Sequence, residues 1–146
     1  MLHLLDSNGF LRLAEKNSPH RPIVLEALRK LRLNNHTICY TPQVLAEFWN
    51  VCTRPASARG GFGFTIKQTE RKIEIIQKHF QILPDNLQTF LEWRKLVSDY
   101  QVVGVQVHDA KIAASMIVHK VDYLITSNEK DFKRFPMIQV VNPANV

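Results

Sequence analysis

At 146 residues and 45% apolar, the chain is long enough for one buried core, too short for two comfortable ones and no disordered tail, so residues 1–146 read as a single domain. No apolar run approaches the roughly 20 residues that span a bilayer, and the start carries no secretory leader, so a cytoplasmic protein without membrane attachment is expected. The net charge of +6 lies in residues 1–73, with eleven Lys or Arg against five Asp or Glu and eight against eight beyond, a field that favours a polyanionic partner.

Leu2 to Leu5 read as a short strand with no wet face. Ser7, Asn8 and Gly9 break it, and Phe10, Leu11, Leu13 and Ala14 suggest a helix capped by Ser7 or Asn8. Pro19 and Pro22 mark a turn and a new helix start. Beyond them Ile23, Leu25, Leu28, Leu31 and Leu33 supply an apolar face, with Arg29, Lys30 and Arg32 available to solvent. Thr37 to Tyr40 form a second strand. Thr41 and Pro42 then cap and open a helix bearing Val44, Leu45, Phe48 and Trp49.

Thr53 to Phe64 contain Pro55, Gly60, Gly61 and Gly63, which predicts a loop with conformational freedom. Thr65 and Gln68 have capping-box spacing before Ile66, Ile73 and Ile76. Asp85 and Gln88 repeat it before a helix lined by Leu87, Phe90, Leu91, Val97 and Tyr100. Between these helices Phe80 to Leu83 is a candidate third strand. Val102, Val103 and Val105 read as an extended or loop segment around Gly104. A helix from about Asp109 to His119 packs through Ala110, Ala113, Ala114, Ile117 and Val118, with the sheet as its expected neighbour. Val121 to Thr126 and Ile138 to Val141 look like two more buried strands. Cys39 and Cys52, widely spaced, read as buried free thiols. Short apolar strands alternating with helices predict an α/β fold, a parallel sheet sandwiched by helices.

In such a sheet, ligands bind beyond the carboxyl ends of the strands. Asp6 ends the first strand, Asp109 sits in the first turn of a late helix, and Asp131 follows the Val121 to Thr126 run. Glu47 lies about two turns into its helix, with a side chain long enough to reach back. Singly, these acids have structural explanations: a helix-start carboxylate for Asp109, a turn cap for Asp131, an Asx turn for Asp6. Gathered together they repel one another unless a hard cation, Mg²⁺ or Mn²⁺, lies between them. That pattern points to a metal-dependent phosphodiesterase, with Asp6 and Asp109 as central ligands and Glu47 and Asp131 completing the shell. Ser7, Asn8, Thr126, Ser127 and Asn128 could fix carboxylate rotamers, or cap helices and turns. His108 reads as a residue preceding the helix rather than as a general base.

These segments carry a resemblance. LLDSN resembles the LLDTN opening of PIN-domain proteins, and TPQVLAEFWNVCTRP resembles their stretch around a conserved glutamate. HDAKIAA resembles the third acidic motif and LITSNEKDF the fourth, in the same order and spacing over essentially the whole chain. The group it most resembles is the VapC-like toxins of bacterial toxin–antitoxin pairs. The resemblance implies a three-layer α/β/α sandwich with a central parallel sheet. It also implies a carboxylate-lined pocket binding Mg²⁺ or Mn²⁺, hydrolytic cleavage of RNA, homodimers, and inhibition by an antitoxin protein. By motif, Asp6, Glu47, Asp109 and Asp131 are the catalytic and metal-binding positions, with the fourth open between Asn128 and Asp131. Arg54 and Arg59 could contact phosphate, and Phe62 and Phe64 could stack on bases or bury against the next helix. An apolar helical face among residues 23–33 or 87–100 could serve a dimer or an antitoxin. The alternative function is a noncatalytic RNA-binding or protein-interaction domain on the same scaffold.

Overall fold

A computed structural model describes residues 1–146. Five short strands, β1 Leu2–Leu5, β2 Thr37–Tyr40, β3 Gln81–Ile82, β4 Tyr123–Ile125 and β5 Val140–Val141, form one parallel sheet in the order β3-β2-β1-β4-β5. Six helices flank it: α1 Ser7–Ala14, α2 Arg21–Leu33, α3 Pro42–Thr53, α4 Ile66–His79, α5 Leu87–Asp99 and α6 Val107–His119. α1 packs on α2 and α3, α3 packs on α4, and α5 lies along α6. This is the predicted α/β/α sandwich. Leu4, Leu5, Leu124 and Ile125 on the two central strands are fully buried, which is why those strands read as unbroken apolar runs. No helix is long and apolar enough to cross a membrane.

The strand order determines where a site can form. β1 leads through α1 and α2 to β2 on one side, while β4 pairs with β1 on the other, so the chain diverges at the carboxyl ends of β1 and β4. Leu5 lies opposite Ile125, and Asp6 N donates to the Ile125 carbonyl at 3.3 Å. The next residues, Asp6 and Thr126, therefore leave the sheet side by side.

Several local expectations shift. Asp6 itself caps α1, accepting from Gly9 N at 2.8 Å, which frees Ser7 for another contact. The capping box of α5 is one residue later than predicted: Asn86 and Thr89 bond reciprocally at 2.9 Å, and Asp85 instead faces Lys111 at 3.5 Å. Thr89 is buried and also donates to Asn86 O, so tertiary burial selects between two equally spaced pairs. The Thr65–Gln68 box forms as predicted.

On α2 the buried stripe is Val24, Ala27, Leu28 and Leu31, whereas Ile23, Leu25 and Leu33 are exposed. On α5, Thr89 and Leu96 are buried, and Leu87, Phe90 and Leu91 face outward. In both helices the predicted face mixed two sides. α6 buries Ala110, Ala113 and Ala114 completely, and its extensive partner is α5. The segment after α5 is a 3-10 turn, Gly104–Gln106, with Val103 and Val105 exposed.

The glycine-rich loop is pinned rather than free. Phe62 N and Phe64 N donate to Val51 O and Cys52 O, and one guanidinium N–H of Arg54 donates to Arg59 O. A Cβ on Gly61 would meet Arg54 O and Pro55 O at 2.5 Å, so this glycine permits a close backbone approach. Phe62 and Phe64 contact each other edge to face and, partly buried, pack against the core.

Cys39 and Cys52 are buried free thiols. Burial pushes Cys39 up to about 12 and Cys52 up to about 11, Lys72 opposing the latter. At pH 7.5 the thiolate fraction is negligible. Neither cysteine should react with a disulfide-exchange reagent in the native protein, and both should react in denaturant. A fast-reacting native thiol would contradict this packing.

Candidate active site

The site grows from the divergence of β1 and β4. Asp6 accepts from the buried Thr126 hydroxyl on one carboxylate oxygen and from Gly9 N on the other. Burial raises the Asp6 pKa. The Thr126 and Gly9 hydrogen bonds and the charge of Arg12 oppose that rise, and Glu47 adds to it. Arg12 is itself tied to the Ser127 hydroxyl.

Glu47 reaches back from the second turn of α3, as its length allows. Ser7 Oγ donates to one of its oxygens at 2.7 Å and Gln43 Nε2 to the other at 2.9 Å. The same Gln43 amide donates to the carbonyl of His108 at 2.9 Å, one residue before Asp109. Gln43 thus ties Glu47 to the start of α6. Its own carbonyl Oε1 is buried without a partner. Sequence reading missed Gln43; its spacing of four from Glu47 on one helix was the available signal.

Asp109, the third residue of α6, is half-buried, and its pKa is pushed up to about 6. Burial is the main cause, followed by the charges of Asp131 and Glu47; His108 and Arg134 offset part of it. Asp131 is exposed on the 3-10 turn Glu129–Phe132. Asn128 is also exposed, and its backbone amide donates to Thr126 Oγ1 at 3.0 Å.

Glu47 is the common neighbour: it adds negative potential at both Asp6 and Asp109, while Asp131 acts on Asp109. None of the four enters a salt bridge; the ion pairs of the chain are Arg29–Glu26 and Lys111–Asp85. No three acidic, histidine or cysteine side chains stand close enough together to hold a metal ion; the four acids are coupled pairwise, through their charges. The donor chemistry, but not a closed ligand set, suits Mg²⁺ or Mn²⁺. The donors are all hard oxygens, their charge is only partly offset by Arg12, His108 and Arg134, and Mg²⁺ typically keeps several waters while using only one or two carboxylates. The basic excess of the first half lies elsewhere: Lys16, Arg21, Arg29, Arg32 and Lys72 line a groove among α1, α2 and α4.

The sequence matches the family model for the PIN domain over residues 3–137. The chain belongs to the PIN-domain family. No curated protein matches this PIN domain significantly. Solved structures share its fold. The crystal structure of VapBC2 from Rickettsia felis, bound to a DNA fragment from their promoter, aligns with a TM-score of 0.72 at 23% identity, covering 97% of this chain and 98% of that one. VapBC-1 from nontypeable Haemophilus influenzae gives 0.72 at 22%, covering 98% of each. VapC20 of Mycobacterium tuberculosis, described as a sarcin–ricin loop cleaving toxin, gives 0.59 at 12%, covering 88% of this chain and 92% of that one.

Proposed function

We propose that this PIN domain is a Mg²⁺- or Mn²⁺-dependent endoribonuclease, the toxin of a toxin–antitoxin pair. The observation that carries the reading is the set of mutually repelling acids near the divergence of β1 and β4, supplied by α1's cap, α3, α6 and the Glu129–Phe132 turn and only partly offset by neighbouring cations. When bound, a divalent ion supplies Lewis acidity toward a phosphodiester and a more acidic water. Asp6 and Asp109 would hold it, with Glu47 and Asp131 completing the shell. Asp131 is preferred to Asn128 because its charge bears directly on Asp109.

The chain's own residues do the positioning. Thr126 and Gly9 fix the Asp6 rotamer, and Ser7 and Gln43 hold both Glu47 oxygens, so little freedom is lost when a ligand arrives. The description of VapC20 as a cleaving toxin of the sarcin–ricin loop favours RNA as the substrate.

A partner protein is supported by the VapBC complexes and by the groove of about 800 Å³ among α1, α2 and α4. Leu13, Leu25, Leu28, Ile75 and Phe80 form its apolar lining beneath the basic rim. That chemistry fits an antitoxin segment with apolar anchors and acidic flanks.

The test is cleavage of end-labelled single-stranded RNA with Mn²⁺, with EDTA and by Asp6→Asn. Internal cuts that require the ion and fall about 10²-fold or more in the variant are expected, the scale for removing one electrostatic group from an active site. Equal cleavage by both proteins would overturn the reading. Tight RNA association with neither Mn²⁺ binding nor cleavage would instead favour the noncatalytic alternative.

A further inference from the structure

A second cavity, of about 380 Å³, opens between α5 and the start of α6. We propose that it is a subsite for one nucleobase of single-stranded RNA, beside the carboxylates; the proposal rests on the ribonuclease reading above. Its size lies within the ~300–1,000 Å³ range of small-ligand sites. Phe90 and Trp93 stand one helical turn apart on α5, ring centroids 6.1 Å apart and planes tilted by 36°. Phe90 is 54% exposed, so its ring is accessible to a ligand. Trp93 is half-buried and cannot swing freely, because its Nε1 donates to Val107 O at 2.9 Å.

The polar lining is equally specific. Asp85 and Lys111 face each other at 3.5 Å, each side chain about two-fifths exposed, so an acceptor and a donor lie side by side at the cavity. The Watson–Crick edge of each base offers both a donor and an acceptor, open to contact in a single strand. The same lining disfavours an apolar protein partner, since the centres of protein interfaces are depleted of charged residues.

The cavity is mechanically joined to the acids. Its wall, Val107 and His108, immediately precedes Asp109. Trp93 holds that wall from the cavity side, and Gln43, carrying Glu47, holds it from the other. A base stacked on Phe90 would bring the adjoining phosphate toward Asp109, which converts stacking energy into orientation of the scissile bond.

Trp93 reports on its own subsite once Trp49, the other tryptophan, is replaced by Phe. The probe is a short single-stranded oligoribonucleotide titrated in EDTA, so that binding is read without cleavage. We expect quenching of Trp93, with affinity lowered about 5- to 150-fold by Phe90→Ala, the range that corresponds to losing one base–aromatic stack. Phe90→Tyr should retain affinity and Phe90→Leu should not, because an apolar side chain without a π-face cannot stack. Wild-type cleavage with unchanged Trp93 emission and an unchanged KM in Phe90→Ala would overturn the subsite and leave the nuclease standing. Phe90-dependent quenching without any cleavage would keep the subsite and remove the nuclease. Equal behaviour of Phe90 and Leu, with a change of molecular mass on Phe90→Ala, would make this face a contact between copies and overturn the proposal.

Discussion

Asp109→Asn is expected to abolish RNA cleavage and, with no divalent ion present, to make the protein more stable at pH 7.5. The two effects have one cause. The Asp109 pKa rises from the ordinary 3.8 to about 6, mainly through burial and then through Asp131 and Glu47. A carboxyl whose folded pKa is raised stabilises the fold fully below its unfolded pKa. That stability is lost as pH climbs through the folded value. Above pH 7 the native state therefore carries the whole penalty of the charged form.

Asn removes the charge and keeps the shape, and no hydrogen bond to the carboxylate is lost with it. Asp109 is only half-buried, and its first-turn position on α6 favours negative charge, so solvent screening and the helix dipole reduce the gain to about 1 kcal/mol. In a chain of this size that is roughly a 3 °C rise in Tm. The advantage should fade below pH 4, where both proteins are neutral at this position. Saturating Mn²⁺ should raise the Tm of the wild type by mass action and the variant's much less. A variant that melts lower at pH 7.5 in EDTA would mean that Asp109 is already compensated in the fold, and the metal argument would lose its basis.

Gly9→Ala should destabilise the protein, although helix propensity argues the reverse. Within a helix, Ala is favoured over Gly by roughly 0.5–1 kcal/mol. Gly9, however, lies where α1 sits directly on the end of β1. A Cβ there would stand 2.3 Å from Leu5 Cδ1 and 2.7 Å from Leu5 Cγ, and Leu5 is fully buried. Forcing a core side chain aside typically costs ~1–3 kcal/mol, which outweighs the propensity gain.

The same Cβ would come within 3.3 Å of Asp6 Oδ1, the oxygen that Gly9 N holds at 2.8 Å. Cleavage should therefore fall along with stability. Urea unfolding combined with an activity assay reads both quantities. A stabilised Gly9→Ala protein would show that Leu5 relaxes freely and that the close packing of α1 on β1 is not a constraint.

Much of the candidate site was legible because its signals are local. Asp6 ends an apolar run, Asp109 lies in the first turn of an alanine-rich helix, and Thr41-Pro42 launches the helix carrying Glu47, each written within a few neighbouring residues. What went astray depended on which side of an element meets the core. On α2 and α5, apolar residues occur on both faces, and periodicity cannot choose between them. Two overlapping capping pairs stood at the start of α5, and only the burial of Thr89 chose Asn86 over Asp85.

The chain by itself marked where its strands lie, the four carboxylates Asp6, Glu47, Asp109 and Asp131, and the uneven charge. Those features follow from propensity, period and covalent order. Only the tertiary structure decided that β4 lies beside β1, so that Thr126 reaches Asp6, and that Gln43 joins Glu47 to the segment before Asp109. It also drew Lys16, Arg21, Arg29, Arg32 and Lys72 around an apolar groove, while Arg12 and Arg134 stand beside the acids. The reason is physical: strand order and helix seating are selected by the simultaneous burial of side chains from distant segments, a many-body condition that no local stretch of sequence contains.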